Sequence, residues 1–234
     1  IPMQEISWKD NLRIAWFGCF LTGASISLVV PFMPIFVEQL GIEGDQVAFY
    51  SGLAISVSAI SAAFVSPIWG ILADKYGRKP MMIRAGLAMT ITMGGLAFVP
   101  NVFWLLFLRF LNGVFTGFVP NATALIASQV PKDRSGYALG TLSTGVVAGT
   151  LTGPFVGGFI AEIFGIRNVF LLVGGFLFLA AILTILFIKE NFQPVPKEKA
   201  LPTRELFTSV KYPFLLINLF LTSFVIQFAA QSIG

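Results

Sequence analysis

The chain has 234 residues, 56% of them hydrophobic and 11% charged, with a formal net charge of +4. That balance excludes an ordinary water-soluble domain, in which charge is about twice as abundant. Histidine is absent and cysteine occurs once, as Cys19. His-based metal sites, Ser-His-Asp or Cys-His catalysis, histidine proton relays and intrachain disulfides are therefore excluded as well.

Runs free of Asp, Glu, Lys and Arg cover residues 14–37, 46–73, 85–108, 110–131, 135–161, 168–188 and 212–234. A helix rises about 1.5 Å per residue, so roughly 20 residues cross a hydrocarbon layer about 30 Å thick. Backbone polar groups in lipid must bond internally, which makes each run a helix. The first run is too long for a cleaved signal peptide. The sequence thus predicts an all-α integral membrane protein. A six-span bundle occupies residues 1–188, a polar linker follows at 189–211, and a seventh span over 212–234 starts a second bundle. The linker carries Pro194, Pro196 and Pro202 with mixed charge, which suits a surface connection.

The basic residues sort by side. Lys9 and Arg13 precede span 1. Lys75, Arg78, Lys79 and Arg84 lie around turn 2–3, and Lys132 and Arg134 lie in turn 4–5. Lys189, Lys197, Lys199, Arg204 and Lys211 surround the linker. The odd-numbered turns hold only Arg167, with Glu43 and Asp45 on that same face. This positive-inside pattern places the N-terminus and the linker in the cytoplasm and assigns the net charge to topology, not to nucleic acid.

Within span 1, Pro31 and Pro34 should loosen the outer half near Glu38. Thr22, Ser25 and Ser27 are its candidate cavity residues. Span 2 ends in Gly70-Ile-Leu-Ala-Asp74-Lys-Tyr-Gly77-Arg78-Lys79-Pro80. Asp74 stands at a helix C-terminus, where an acid is unfavourable without a partner. Arg78, four residues on, is one candidate, and the N-terminal end of another helix is a second. Gly77 permits a positive-φ turn, and Pro80 suits the first turn of span 3.

Arg109 is read as the one charge well inside a span, about seven residues or roughly 10 Å from the outer end of span 4. Such residues face a cavity or a partner. Asn112, Thr116, Asn121 and Thr123 share that span, and Glu38 ends span 1 on the same side. Asn121-Ala-Thr123 fits a glycosylation pattern but lies within the membrane. Span 5 repeats glycine every four residues, at Gly145, Gly149, Gly153 and Gly157, followed by Gly158. The stripe admits close helix approach and suits a sliding surface, and Pro154 interrupts its hydrogen-bond ladder.

The two halves of the bundle echo each other. Residues 158–167, G-F-I-A-E-I-F-G-I-R, match residues 70–79 in Gly, Ala, acid, aromatic and Gly, 88 positions apart. "FLTG" at 20–23 returns as "FLNG" at 110–113. Both offsets carry a residue three spans further, so spans 1–3 and 4–6 form an inverted-topology repeat, an arrangement frequent among transporters.

These residues resemble the major facilitator superfamily. Gly70-x-Leu-Ala-Asp74-x-x-Gly77-Arg78-Lys79 resembles its motif A. Arg109 with Asn112-Gly113 resembles motif B, with Asn in place of Gln. Gly149-x-x-x-Gly153-Pro154-x-x-Gly157-Gly158 matches motif C of drug:proton antiporters. Pro31-x-x-Pro34 with Leu40-Gly41 fits their first helix. The whole chain is similar to the drug:proton antiporter-1 branch, near the fluoroquinolone exporters of Gram-positive cocci.

The resemblance implies twelve helices in two bundles, alternating access around a central cavity, and a multi-pass protein of the bacterial cytoplasmic membrane working as a monomer. It makes motif A a conformational latch, motif B a participant in proton coupling, and motif C the exporter helix. Thr22, Ser25, Asn112 and Thr116 are the expected substrate cavity. The expected partners are amphipathic drugs, protons and the bilayer, with the proton gradient as energy source and no cofactor. Spans 1–6 hold no carboxylate near their middle, leaving Glu38, Asp74, Glu162 or an acid elsewhere to carry the proton. The alternative on the same fold is a facilitator or symporter for a small metabolite. An enzyme lacks catalytic groups, and a seven-helix receptor has the opposite orientation.

Overall fold

A computed structural model describes residues 7–192, and the predicted seventh span and the linker from residue 193 lie outside them. The described residues are helical with no strand. They form α1 (Trp8–Val29), α2 (Met33–Gln39), α3 (Gln46–Tyr76), α4 (Arg78–Gly95), α5 (Val102–Phe115), α6 (Phe118–Gln129), α7 (Ser135–Phe164) and α8 (Ile166–Phe187). Among the described residues, six segments are long and apolar enough to cross a membrane. The first comprises α1 and α2, the fourth comprises α5 and α6, and the others are single helices with their short 3₁₀ extensions.

Local sequence sets the helix ends. Ser7 accepts the Asp10 amide at the start of α1, and Asn101 accepts the Trp104 amide at the start of α5. Pro31 and Pro34 convert the outer part of the first span into a 3₁₀ turn between α1 and α2, as expected of prolines there. Gly77 and Gly165 close α3 and α7 with φ of 101° and 84°, each donating its amide four residues back, to Ala73 and Ala161. The two glycines are the matching positions of the sequence echo, and they fold alike.

Helix α1 packs chiefly on α7, α4 on α8, and α3 on α5. One core cluster includes Phe36, Met89, Met93, Leu105 and Phe170, with the Phe36 and Phe170 rings 4.6 Å apart. A second includes Leu12, Cys19, Met82, Phe118 and Ile126. Phe64, Phe98, Phe103 and Phe155 face outward, an arrangement costly in water and favourable in hydrocarbon.

Candidate transport site

The fourth span is broken at its midpoint. Pro120 has no amide hydrogen, and its ring crowds the carbonyl of Thr116, so the helix there must bend or break. The chain answers with an extended Thr116 (ψ 169°) and a Gly117 at φ 130°, a conformation that favours glycine. Nearby spans take up the freed groups. The Arg84 guanidinium donates from Nη2 to the Thr116 carbonyl (3.1 Å), and the Trp69 indole donates to the Val114 carbonyl (2.7 Å). Within the span itself, the Gly117 carbonyl keeps the Asn121 backbone amide (3.3 Å) and also accepts from Asn121 Nδ2 (2.7 Å).

Arg84 corrects the sequence reading. Its place near turn 2–3 suggested a headgroup-facing charge. Instead it stands six residues into α4, half-buried, with its guanidinium carbon 3.4 Å from the centre of the Trp69 ring. Arg109 is therefore not the one charge inside a span. The long side chain folds back along the helix to reach an aromatic face and a freed carbonyl, which charge patterning alone does not show.

Arg109 is buried, and its partners are a backbone and a thioether. Nε donates to the Ala54 carbonyl of α3 (3.0 Å), and Nη1 reaches Met93 Sδ of α4 (3.7 Å). Glu38, the acid nearest in the sequence argument, is exposed at the end of α2. Asn112 links three helices: its amide nitrogen donates to Ser58 Oγ (3.3 Å) and its oxygen accepts from Thr92 Oγ1 (3.2 Å). Gly113 lies where a Cβ would stand 2.1 Å from the Ser58 carbonyl, so α5 and α3 meet at their backbones.

Two hollows flank the break. One, of about 250 Å³, is lined by residues that include Arg109, Asn112, Thr116, Ser58, Met89 and Met93. The other, of about 230 Å³, includes Thr22, Trp69, Gly70, Arg78, Thr116 and Asn121. Of the four predicted cavity residues, Thr22, Asn112 and Thr116 line these hollows. Ser25 does not: it is fully buried, and its hydroxyl has no hydrogen-bond partner. The arrangement offers polar and aromatic groups inside an apolar wall, the usual make-up of a small-molecule site.

At the predicted cytoplasmic turn, Asp74 pairs with Arg78, the first of the partners anticipated for it. Sequence reasoning missed Glu190. Its two carboxylate oxygens accept from the backbone amides of Arg78 and Lys79, both at 2.8 Å, and so cap the N-terminus of α4. A Cβ on Gly77 would meet the same carboxylate at 2.8 Å. Asn11, buried near the start of α1, donates to Gln129 (2.7 Å) and to the Lys189 carbonyl (2.6 Å), and accepts the Lys189 amide (2.9 Å). The ends of the first, third, fourth and sixth spans are thus tied around this turn.

The glycines of α7 pack on the first span. Gly145, Gly149 and Gly153 leave a Cβ no room, at 2.7, 2.1 and 2.7 Å from the carbonyls of Trp16, Phe20 and Ala24. Gly157 is filled against Phe32 and Leu28, whereas Gly158 is open. Helix α7 continues through Pro154, which leaves the Thr150 carbonyl without its helical donor, and Ser27 of α1 donates to that oxygen at 2.7 Å.

A bundle of membrane-length helices with a broken, polar fourth span and interlocked glycine crossings defines one half of a membrane transporter. The pattern of the Major Facilitator Superfamily matches residues 15–233, and the chain belongs to that family. It is 87% identical over 232 residues to the multi-drug resistance efflux pump PmrA of Streptococcus pneumoniae, covering 99% of this chain and 58% of the pump. It is 55% identical over 230 residues to a PmrA homolog of Lactococcus lactis, covering 98% of this chain and 57% of that protein. To the multidrug resistance protein MdtG of Proteus mirabilis it is 50% identical over 228 residues, covering 97% of this chain and 57% of MdtG. The chain thus spans little more than half the length of these relatives.

Among solved structures, the fold resembles the human organic anion transporter MFSD10, with TM-score 0.70 and 17% identity over 86% of this chain and 52% of that one. It also resembles the POT-family transporter PepTSo, with TM-score 0.71 and 16% identity over 82% of this chain and 40% of that one. These two likenesses concern the fold. The chain is a multi-pass member of that superfamily, with six membrane-length segments among the described residues.

Proposed function

We propose that this chain forms the N-terminal half of a proton-coupled exporter of amphipathic drugs, fluoroquinolone- and dye-like, that works by alternating access in the bacterial cytoplasmic membrane with its N-terminus inside. The single observation that carries the reading is the broken fourth span, which puts Asn112, Thr116 and the buried Arg109 beside two hollows at membrane depth. Discontinuous helices of this kind form substrate sites in transporters. The names of the relatives above support drugs as the cargo.

In this reading Asp74, with Gly70, Gly77, Arg78 and Lys79, latches one conformation at the cytoplasmic turn. Arg109, with Asn112 and Gly113, takes part in proton coupling, its charge held off water by Ala54 and Met93. The α7 glycines fix the exporter geometry. The full-length protein acts as a monomer on drugs and protons, with no cofactor.

The test uses inside-out vesicles carrying the full-length protein. An imposed pH gradient, acidic inside, should drive ethidium uptake, and collapsing it should stop uptake. Transport indifferent to the gradient would overturn proton coupling, and no transport would overturn export.

A further inference from the structure

We infer that Trp69 and Arg84 form a brace that holds the break of the fourth span in place and sets the shape of the drug-binding hollow, so that both act as specificity-determining positioning residues. The inference rests on the export reading above. It starts from the accounting of backbone groups that a break inside hydrocarbon demands. Pro120 cannot donate to the Thr116 carbonyl, and the turn at Gly117 takes the Phe118 amide away from the Val114 carbonyl. The two acceptors are taken by Arg84 and Trp69, from the third and second spans.

The two side chains also fix each other. The guanidinium lies 3.4 Å from the indole centre, and Nη2 makes its one hydrogen bond, while Nε and Nη1 are buried without a partner. Among the described residues no carboxylate pairs with Arg84. The three ion pairs among the described residues are Asp10–Arg13, Asp74–Arg78 and Asp133–Arg134. Its place is therefore set by a ring face and a carbonyl, for which a planar cation is suited and a lysine is not. The same device appears once more in simpler form, where Ser27 takes the carbonyl that Pro154 frees in the fifth span. There it closes a helix seam, whereas the Trp69–Arg84 pair stands at a cavity. Trp69, Thr116 and Gly117 all line the hollow of about 230 Å³. A shift of the brace therefore moves the wall that a drug would touch.

The experiment compares Arg84→Lys and Trp69→Phe with wild type in the full-length protein, using ethidium as probe. Transport in energised inside-out vesicles gives KM and kcat. Fluorescence titration of purified protein gives Kd, and thermal melting reports folding. Each variant should raise KM and Kd at least fivefold, with kcat within twofold of wild type and a melting temperature lowered by no more than a few degrees, the effect of one unmade buried hydrogen bond. Combining the two should cost little more than either alone, because they act as one unit. Unchanged KM and Kd in a wild type that transports ethidium would overturn the brace and leave the export reading standing. A wild type that neither binds nor moves ethidium would overturn the export reading and the brace with it. Should Arg84→Lys fail to reach the membrane, Trp69→Phe decides, since it keeps a ring beneath the guanidinium while removing the hydrogen bond and trimming the indole to a smaller ring.

Discussion

Gly113 in the fourth span meets the Ser58 carbonyl of the second as Gly23 in the first meets the Val146 carbonyl of the fifth, with an added Cβ standing 2.1 and 2.6 Å from those oxygens. The two glycines are 90 positions apart and their targets 88. The offsets of the sequence echo therefore reappear as equivalent helix crossings. The crossing of α4 and α8 obeys the same relation, with Gly86 against Ala181 and Gly174 against Gly94.

Where backbone presses on backbone, an added methyl has nowhere to go. Gly149→Ala should lower stability by about 2 kcal/mol, and Gly153→Leu should cost more, since overpacking scales with inserted volume. Gly158→Ala meets nothing within 4 Å and should leave the melting temperature unchanged. Thermal melting in detergent checks the contrast. Equal effects at positions 149 and 158 would contradict the described packing.

Asp74→Asn removes an ion pair that is largely exposed, so the fold should lose at most about 1 kcal/mol. Under the proposed latch role, export should nonetheless fall at least fivefold, because the pair favours one conformation over another and adds little to the stability of the fold. Dye efflux in cells, normalised to the amount of membrane-inserted protein, measures it. Unchanged efflux removes the latch.

Glu190→Ala strips two acceptors from the first turn of α4. A lost N-terminal cap costs about 1 kcal/mol, so the amides of Arg78 and Lys79 should exchange with deuterium about fivefold faster. The remaining amides of α4 should keep their wild-type rates. Uniform loosening of the helix would mean that Glu190 holds up more than the cap.

Arg109→Lys keeps the charge and loses the planar fork that spans the Ala54 carbonyl and Met93. Gradient-driven dye transport should drop at least tenfold, while ethidium affinity changes less than twofold. A matching loss of affinity would make Arg109 a substrate ligand instead of a coupling residue.

The six described spans, Asp74–Arg78 and the repeat were legible because each follows a pattern written along the chain. Charge-free length, an i to i+4 spacing and a recurring glycine turn all lie along the chain. Arg84 was not legible, since its position near a basic turn looks the same whether the side chain reaches out to headgroups or folds back onto Trp69. Glu190 was hidden for a related reason. Its partners are amides more than 110 positions away, and backbone amides carry no sequence signal. The break in the fourth span did have one, in Gly117 followed by Pro120, the same proline logic that was applied to Pro31, Pro34 and Pro154. For the glycine stripe the close approach was readable, but the surface approached was not. Of the expected cavity residues, Ser25 shares a helix with Thr22 but faces the packed side.

That seam bears on how the molecule can move. Three carbonyls of the first span sit in glycine notches of the fifth, and Ser27 pins a fourth contact, so translation of one helix along the other would drive backbone into backbone. The first and fifth spans are geared together like a rack whose teeth are peptide units. They must turn as one lever. The pliable joint of the proposed cycle then belongs where a side chain stands on at least one side of the contact and no brace closes it: at the turn held by Asp74, Arg78 and Glu190.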